Sequence, residues 1–126
     1  MSKVLMAHGL PVKSTDLVNR GYGQTPIDFL MPHTGTVGNV VTNPPYKLAE
    51  AFVEQGLLVA RRKVCLLCKL AFLEGQKRRL LFERTPLARV WVFSRRLNMG
   101  RNGRAYKNGG MMAFAWDVWE EGYKGK

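Results

Sequence analysis

Between Lys47 and Leu58 the apolar residues recur with helical spacing. Leu48, Ala49, Phe52, Val53, Gly56 and Leu57 fall at i, i+1, i+4, i+5, i+8 and i+9, which is one face of a helix. Lys47, Glu50, Glu54 and Gln55 fall on the other face. Lys63–Lys69 is apolar on both faces, as a central strand of a parallel sheet would be. Gly75 breaks that pattern, and Gln76–Arg84 reads as a helix ended by Pro86. Arg89–Ser94 reads as a strand, 95–110 as a long loop rich in Arg, Asn and Gly, and Met112–Trp119 as a last strand before a polar end. Upstream, Ser2–His8 reads as the end of a helix with Gly9 as its stop. Val12–Leu17 reads as a short strand, Arg20–Gln24 as a loop, and Ile27–Leu30 as a brief extended piece. Gly35–Gly38 is a turn, and Asn39–Thr42 is a short strand running into Asn43-Pro44-Pro45-Tyr46. Helices alternating with strands predict an α/β fold with a mostly parallel sheet. A final strand directly after another strand predicts an antiparallel pair at one edge.

The length of 126 residues fits a single domain, and 46% hydrophobic residues suffice for a core. The strongly apolar run Val64–Cys68 is far shorter than the roughly 20 residues of a membrane span. The opening residues are too mixed for a signal peptide, and two cysteines make no disulfide framework. These features predict a cytoplasmic protein without a membrane partner.

Charge changes the picture more. The chain carries 20 Lys+Arg against 9 Asp+Glu, a net of +11. From Arg61 to Lys107 there are 14 basic residues and 2 acids, so this stretch holds the whole excess. Such asymmetry predicts a polyanionic partner, most often nucleic acid, against the plainer reading of solubility alone. Arg95, Arg96, Arg101, Arg104 and Lys107 line the Gly- and Asn-rich loop and read as phosphate contacts, against a merely solvated loop.

Other candidates fall to simpler readings. Cys65-x-x-Cys68 lacks a second ligand pair, so both thiols are expected in the core and no metal is predicted. His8 and His33 have no triad partners at a recognisable spacing, and Trp91, Trp116 and Trp119 read as packing residues.

The tetrapeptide Asn43-Pro44-Pro45-Tyr46 follows a predicted strand, and ligands of open α/β sheets bind at carboxyl ends of strands. A helix start, with Asn as N-cap and Pro at the first helical position, accounts for Asn43 and one proline. It does not account for the second proline or the aromatic.

Val40-Val41-Thr42-Asn43-Pro44-Pro45-Tyr46 resembles the catalytic motif of S-adenosylmethionine-dependent amino-methyltransferases that modify N6 of adenine in DNA. Flanking stretches resemble the phage and prophage branch of that family. They are Asp16–Gly23, Lys47–Val53, Leu70–Gly75 and Val92–Arg96, so the resemblance covers nearly the whole chain. It implies a Rossmann-like class I methyltransferase sheet with an antiparallel C-terminal strand, and a bacterial or phage-infected host cell. It implies that Asn43 and the carbonyl of Pro44 accept hydrogen bonds from the target amine, that Pro44 and Pro45 stiffen the backbone, and that Tyr46 stacks on an extruded base. It also implies that Asp16 with Leu17 holds the ribose of S-adenosyl-L-methionine, and that Asp28 with Phe29 meets its adenine. The simpler readings of the two acids are an N-cap for Asp16 and an exposed loop acid for Asp28. DNA is the implied partner, with RNA left open.

The family's first motif, a strand, an acid and a Gly-x-Gly loop before the first helix, has no counterpart here. Gly21-Tyr22-Gly23 follows the ribose acid and leads to Pro26, not to a helix. A sheet of this class needs roughly 170 residues. The expectation is therefore a partial domain over 1–126 that lacks the first strand, with the Gly-x-Gly loop supplied by a second chain or a missing N-terminal segment. The other class of reading is a non-catalytic, basic nucleic-acid-binding remnant.

Overall fold

The first helix ends where its glycine allows. In α1 (Ser2–Ala7), Gly9 follows at φ +78°, its N–H donates to the Met6 carbonyl, and the Leu10 N–H donates to the Leu5 carbonyl. Those paired bonds are a Schellman ending. The computed structural model describes all residues except 33, 34, 101–103, 106, 108, 109, 111 and 126. His33 and Arg101 therefore lie outside the described residues.

The described chain forms two units, Met1–Gly35 and Thr36–Lys126. In the first, the strand expected over Val12–Leu17 does not form, and only Thr15 makes an isolated parallel bridge, to Gln24. The reason is local. Asp16 accepts the Val18 N–H in an Asx turn, and the chain folds back so that Gln24 N–H donates to the Ser14 carbonyl. Backbone groups that a sheet would use are spent within the loop. The extended piece expected over Ile27–Leu30 is likewise a turn, with the Leu30 N–H on the Asp28 carboxylate and the Met31 N–H on the Asp28 carbonyl.

The second unit builds the sheet. Strand β1 (Val37–Thr42) begins two residues before the expected start, with a register irregularity beside Gly38. A 3-10 turn (Tyr46–Leu48) leads into α2 (Ala49–Val59), then β2 (Ala60–Lys69), a second 3-10 turn (Leu70–Leu73) and α3 (Gln76–Arg84). Strands β3 (Leu87–Val92) and β4 (Phe114–Glu120) follow. The sheet order is β1-β2-β4-β3. β1 pairs parallel with β2, and β4 pairs antiparallel with both β2 and β3. Three strands thus run one way, and the last inserts against them. The fold is a mixed α/β sheet in which parallel strand directions predominate but two of the three pairings are antiparallel.

Alternation along the strands places Val64, Leu66, Ala115, Asp117 and Trp119 on one face, all buried. Helix α2 covers this face through Ala49, Val53, Gly56 and Val59. Of the expected apolar stripe, Leu48 is 45% exposed because it sits in the 3-10 turn rather than in the helix. The Trp119 indole N–H donates to Thr85 Oγ1 (3.0 Å), which itself donates to the Leu81 carbonyl (2.6 Å), so these buried polar groups are satisfied. The polar face of α2 is tied to α3 by the pairs Glu50–Arg78 and Glu54–Arg84. No helix among the described residues is long and apolar enough to cross a membrane.

Candidate active site

Asn43 stands one residue beyond Thr42↔Leu66, the last registered pair of parallel β1 and β2. The tetrapeptide therefore leaves the sheet at the carboxyl ends of two neighbouring parallel strands, where such sheets bind ligands. It does not serve as a helix cap. The 3-10 turn starts at Tyr46, its preceding residue is Pro45 at φ −56° and ψ 132°, and no side chain caps it. The Leu48 N–H closes that turn onto the Pro45 carbonyl (2.9 Å). Pro44 is buried, whereas Asn43 is exposed and its side-chain amide makes no hydrogen bond among the described residues. Two prolines with fixed φ hold this free amide at the strand end.

A cavity of about 300 Å³ opens beside it, lined by Asn43, Pro44, Tyr46, Ala49, Leu67, Cys68, Lys69, Met99 and Phe114. This is the low end of the range for small-ligand sites, a size for one small planar group rather than an extended molecule. Its floor is apolar (Leu67, Phe114) and its rim polar (Asn43, Lys69).

The Tyr46 ring carries two cations. Lys69 Nζ lies 5.2 Å and the Arg78 guanidinium carbon 5.4 Å from the ring centroid. Arg78 is engaged through two of its nitrogens: its Nε donates to Glu50 (3.0 Å) and its Nη1 to the carbonyls of Ala71, Phe72 and Glu74. It also lies 5.0 Å from the Phe72 ring. Arg78 thereby fastens the 3-10 turn after β2 to α2 and to the aromatic of the tetrapeptide. Neither Lys69 nor Arg78 is marked by a motif in the sequence. The available signal is that Glu50 lies four residues after Tyr46, on the helical face that α3 approaches.

The residues expected for the cofactor lie in the first unit. Asp16 ends no strand. One carboxylate oxygen takes Arg20 and the other the Val18 N–H, and these bonds, Arg20 foremost, hold its carboxyl below the usual range. Each carboxylate oxygen retains a second lone pair, and the Arg20 pair is largely exposed, so ribose hydroxyls can share or displace Arg20 at little cost. Asp28 uses one oxygen on the Leu30 N–H and keeps the other, so it fits an amine donor. Leu17 is exposed and Phe29 half-buried. The loop Gly21-Tyr22-Gly23 opens no helix, and Tyr22 and Gly23 border a second cavity of about 390 Å³ with Val12, Lys13 and Ser14.

Of the basic loop, Arg95, Arg96, Arg104 and Lys107 are exposed. The wider basic stretch is less free than its sum suggests, because Arg78, Arg79, Arg84 and Arg89 pair with Glu50, Glu83, Glu54 and Glu120. Cys65 and Cys68 sit at odd spacing on one strand and so face opposite sides of the sheet. Cys68 is buried, as expected of a core thiol, and burial pushes it up to about 12; Cys65 is only half-buried, and burial raises its thiol too. No metal-ligating cluster occurs among the described residues. His8 donates from Nδ1 to the Val4 carbonyl (2.8 Å) at the end of α1. Compared with protein-family models, with curated proteins and with solved structures, the chain matches none of them.

Proposed function

We propose that this chain acts in methyl transfer from S-adenosyl-L-methionine to the exocyclic N6 amine of adenine in DNA. The observation that carries the reading is the place of Asn43-Pro44-Pro45-Tyr46: a free carboxamide on a proline-stiffened strand end, at the mouth of a cavity of about 300 Å³ with an aromatic wall. An exocyclic amine is a weak nucleophile because its lone pair is conjugated with the ring. Asn43 Oδ1 and the Pro44 carbonyl accept its two N–H bonds, localise the lone pair and stabilise the positive charge that grows on nitrogen. Their fixed positions mean that little reorganisation accompanies the reaction. Tyr46 stacks on the extruded base, a contact of about 1–3 kcal/mol. Asp16 with Leu17, and Asp28 with Phe29, are the residues that would hold the cofactor's ribose and adenine. When bound, the cofactor supplies an electrophilic methyl group on a sulfonium. Arg95, Arg96, Arg101, Arg104 and Lys107 would meet the phosphates of the polymer.

A second reading is favoured by one observation, the engagement of both Asp16 oxygens by groups of its own loop. It holds that the chain binds nucleic acid without catalysis. Transfer of a labelled methyl group to DNA decides between them. Under the first reading Asn43→Ala lowers transfer by at least about 100-fold and leaves DNA binding in place. Binding with no transfer by the unaltered protein would overturn the first reading and establish the second.

A further inference from the structure

Lys69 is the last residue of β2, paired with Phe114 across the sheet. Its side chain lines the same cavity as Asn43 and Tyr46, and its ammonium lies over the Tyr46 ring at 5.2 Å. Among the described residues it has no carboxylate within ion-pair distance and no hydrogen-bond partner. Its neighbour on the ring, Arg78, is spent on Glu50 and three backbone carbonyls, so Glu50 is not available to neutralise Lys69. Lys69 is half-buried, and an ammonium with no counter-charge among the described residues, at the rim of a largely apolar cavity, is a site for an anion.

Resting on the adenine reading above, we propose that Lys69 binds the phosphate of the nucleotide whose base enters the cavity. Lys69 lines the cavity together with Asn43 and Tyr46, so a phosphate carried by a base that enters there comes within reach of its ammonium. Lysine suits this role because its compact point charge follows a phosphate without needing a planar partner. Arg78 is then a positioning residue that holds the Tyr46 ring. Arg95, Arg96, Arg101, Arg104 and Lys107 would meet phosphates of the polymer, whereas Lys69 meets that of the target nucleotide.

Titration calorimetry of the full chain with deoxyadenosine, deoxyadenosine monophosphate and inorganic phosphate tests this. We expect the monophosphate to bind about tenfold more tightly than the nucleoside, as one charge-assisted contact gives. Lys69→Gln should erase that difference, and Lys69→Arg should keep it. Equal affinity of the unaltered protein for nucleoside and monophosphate overturns the role of Lys69 while the adenine reading stands. A preference for the monophosphate that survives Lys69→Gln does the same. Phosphate binding that depends on Lys69, with no affinity for deoxyadenosine, overturns the adenine reading and with it this assignment of the anion. Circular dichroism of Lys69→Gln, alongside Lys69→Arg, separates loss of the contact from loss of the fold.

Discussion

The guanidinium of Arg78 lies over the ring of Tyr46, 5.4 Å from its centroid, while its nitrogens bind Glu50 and three carbonyls of the turn after β2. One side chain thus joins α3, α2, that turn and the tetrapeptide. Its planar fork supplies several donors in fixed directions, which a lysine does not. Arg78→Lys is expected to lose most of what Arg78→Ala loses, about 1–2 kcal/mol in each case. Urea unfolding midpoints of the two variants check this; full stability of the lysine variant would mean that charge alone matters.

Asp117 is fully buried on β4, opposite Leu66 of β2 and Val90 of β3, and neither carboxylate oxygen has a hydrogen-bond partner among the described residues. Burial pushes its carboxyl from 3.8 up to about 7. The unfolded chain therefore gives up this proton first as pH rises. The contribution of Asp117 to stability is fully present below pH 3.8 and is lost as pH climbs to about 7. The loss is on the order of 4 kcal/mol. Asp16 and Glu120 are held low by Arg20 and Arg89, so they act in the opposite sense and at lower pH. Asp117→Leu should flatten the profile between pH 4 and 7 and raise the midpoint of thermal unfolding at pH 8. A wild-type protein as stable at pH 7.5 as at pH 5 would show that the carboxyl finds a partner.

Gly56 lets α2 lie close on the sheet. A Cβ at this position would stand 2.8 Å from Val64 Cγ1. Alanine raises helix propensity by about 0.8–1.0 kcal/mol, yet overpacking a core costs about 1–3. Gly56→Ala is therefore expected to destabilise by about 1 kcal/mol. Adding Val64→Ala should recover part of that loss, a coupling that a double-mutant cycle in urea measures. Strict additivity of the two changes would place the strain elsewhere.

Arg95 and Arg96 follow β3 at the start of the basic loop. If both meet phosphates, replacing them with glutamine reduces the slope of log affinity against log salt by about 1.8, or about 0.9 per contact. Fluorescence anisotropy with a DNA duplex at several salt concentrations gives that slope. An unchanged value removes the start of this loop from the nucleic-acid surface.

Some elements were legible in the chain itself. Gln76–Arg84 is helical over its expected span, because Gly75 and Pro86 punctuate it from both sides. Lys63–Lys69 lies inside β2, an interior strand of the sheet as a run apolar on both faces suggests, although it pairs parallel with β1 and antiparallel with β4. The tetrapeptide was also legible as a strand-end feature, since two successive prolines cannot continue either a ladder or a helix. Val12–Leu17 forms no strand, because a short segment does not itself supply a partner strand. Asp16 and Gln24 use the same backbone groups within a loop.

The sequence by itself determined the elements of the second unit, the position of Asn43-Pro44-Pro45-Tyr46 and the location of the charge excess. These follow from local periodicity, proline geometry and arithmetic. Only the tertiary structure decided which of those charges remain available. Arg78 and Arg84 find Glu50 and Glu54 across 28 and 30 residues, while Lys69 finds an aromatic face and no acid among the described residues. Likewise Asp117 reads as an ordinary polar residue in its strand, and only insertion of β4 between β2 and β3 turns it into a buried carboxyl with no partner among the described residues. The physical reason is the same in both cases. Pairing and burial are properties of neighbours brought together by the sheet, and residue spacing along one strand or helix does not encode them.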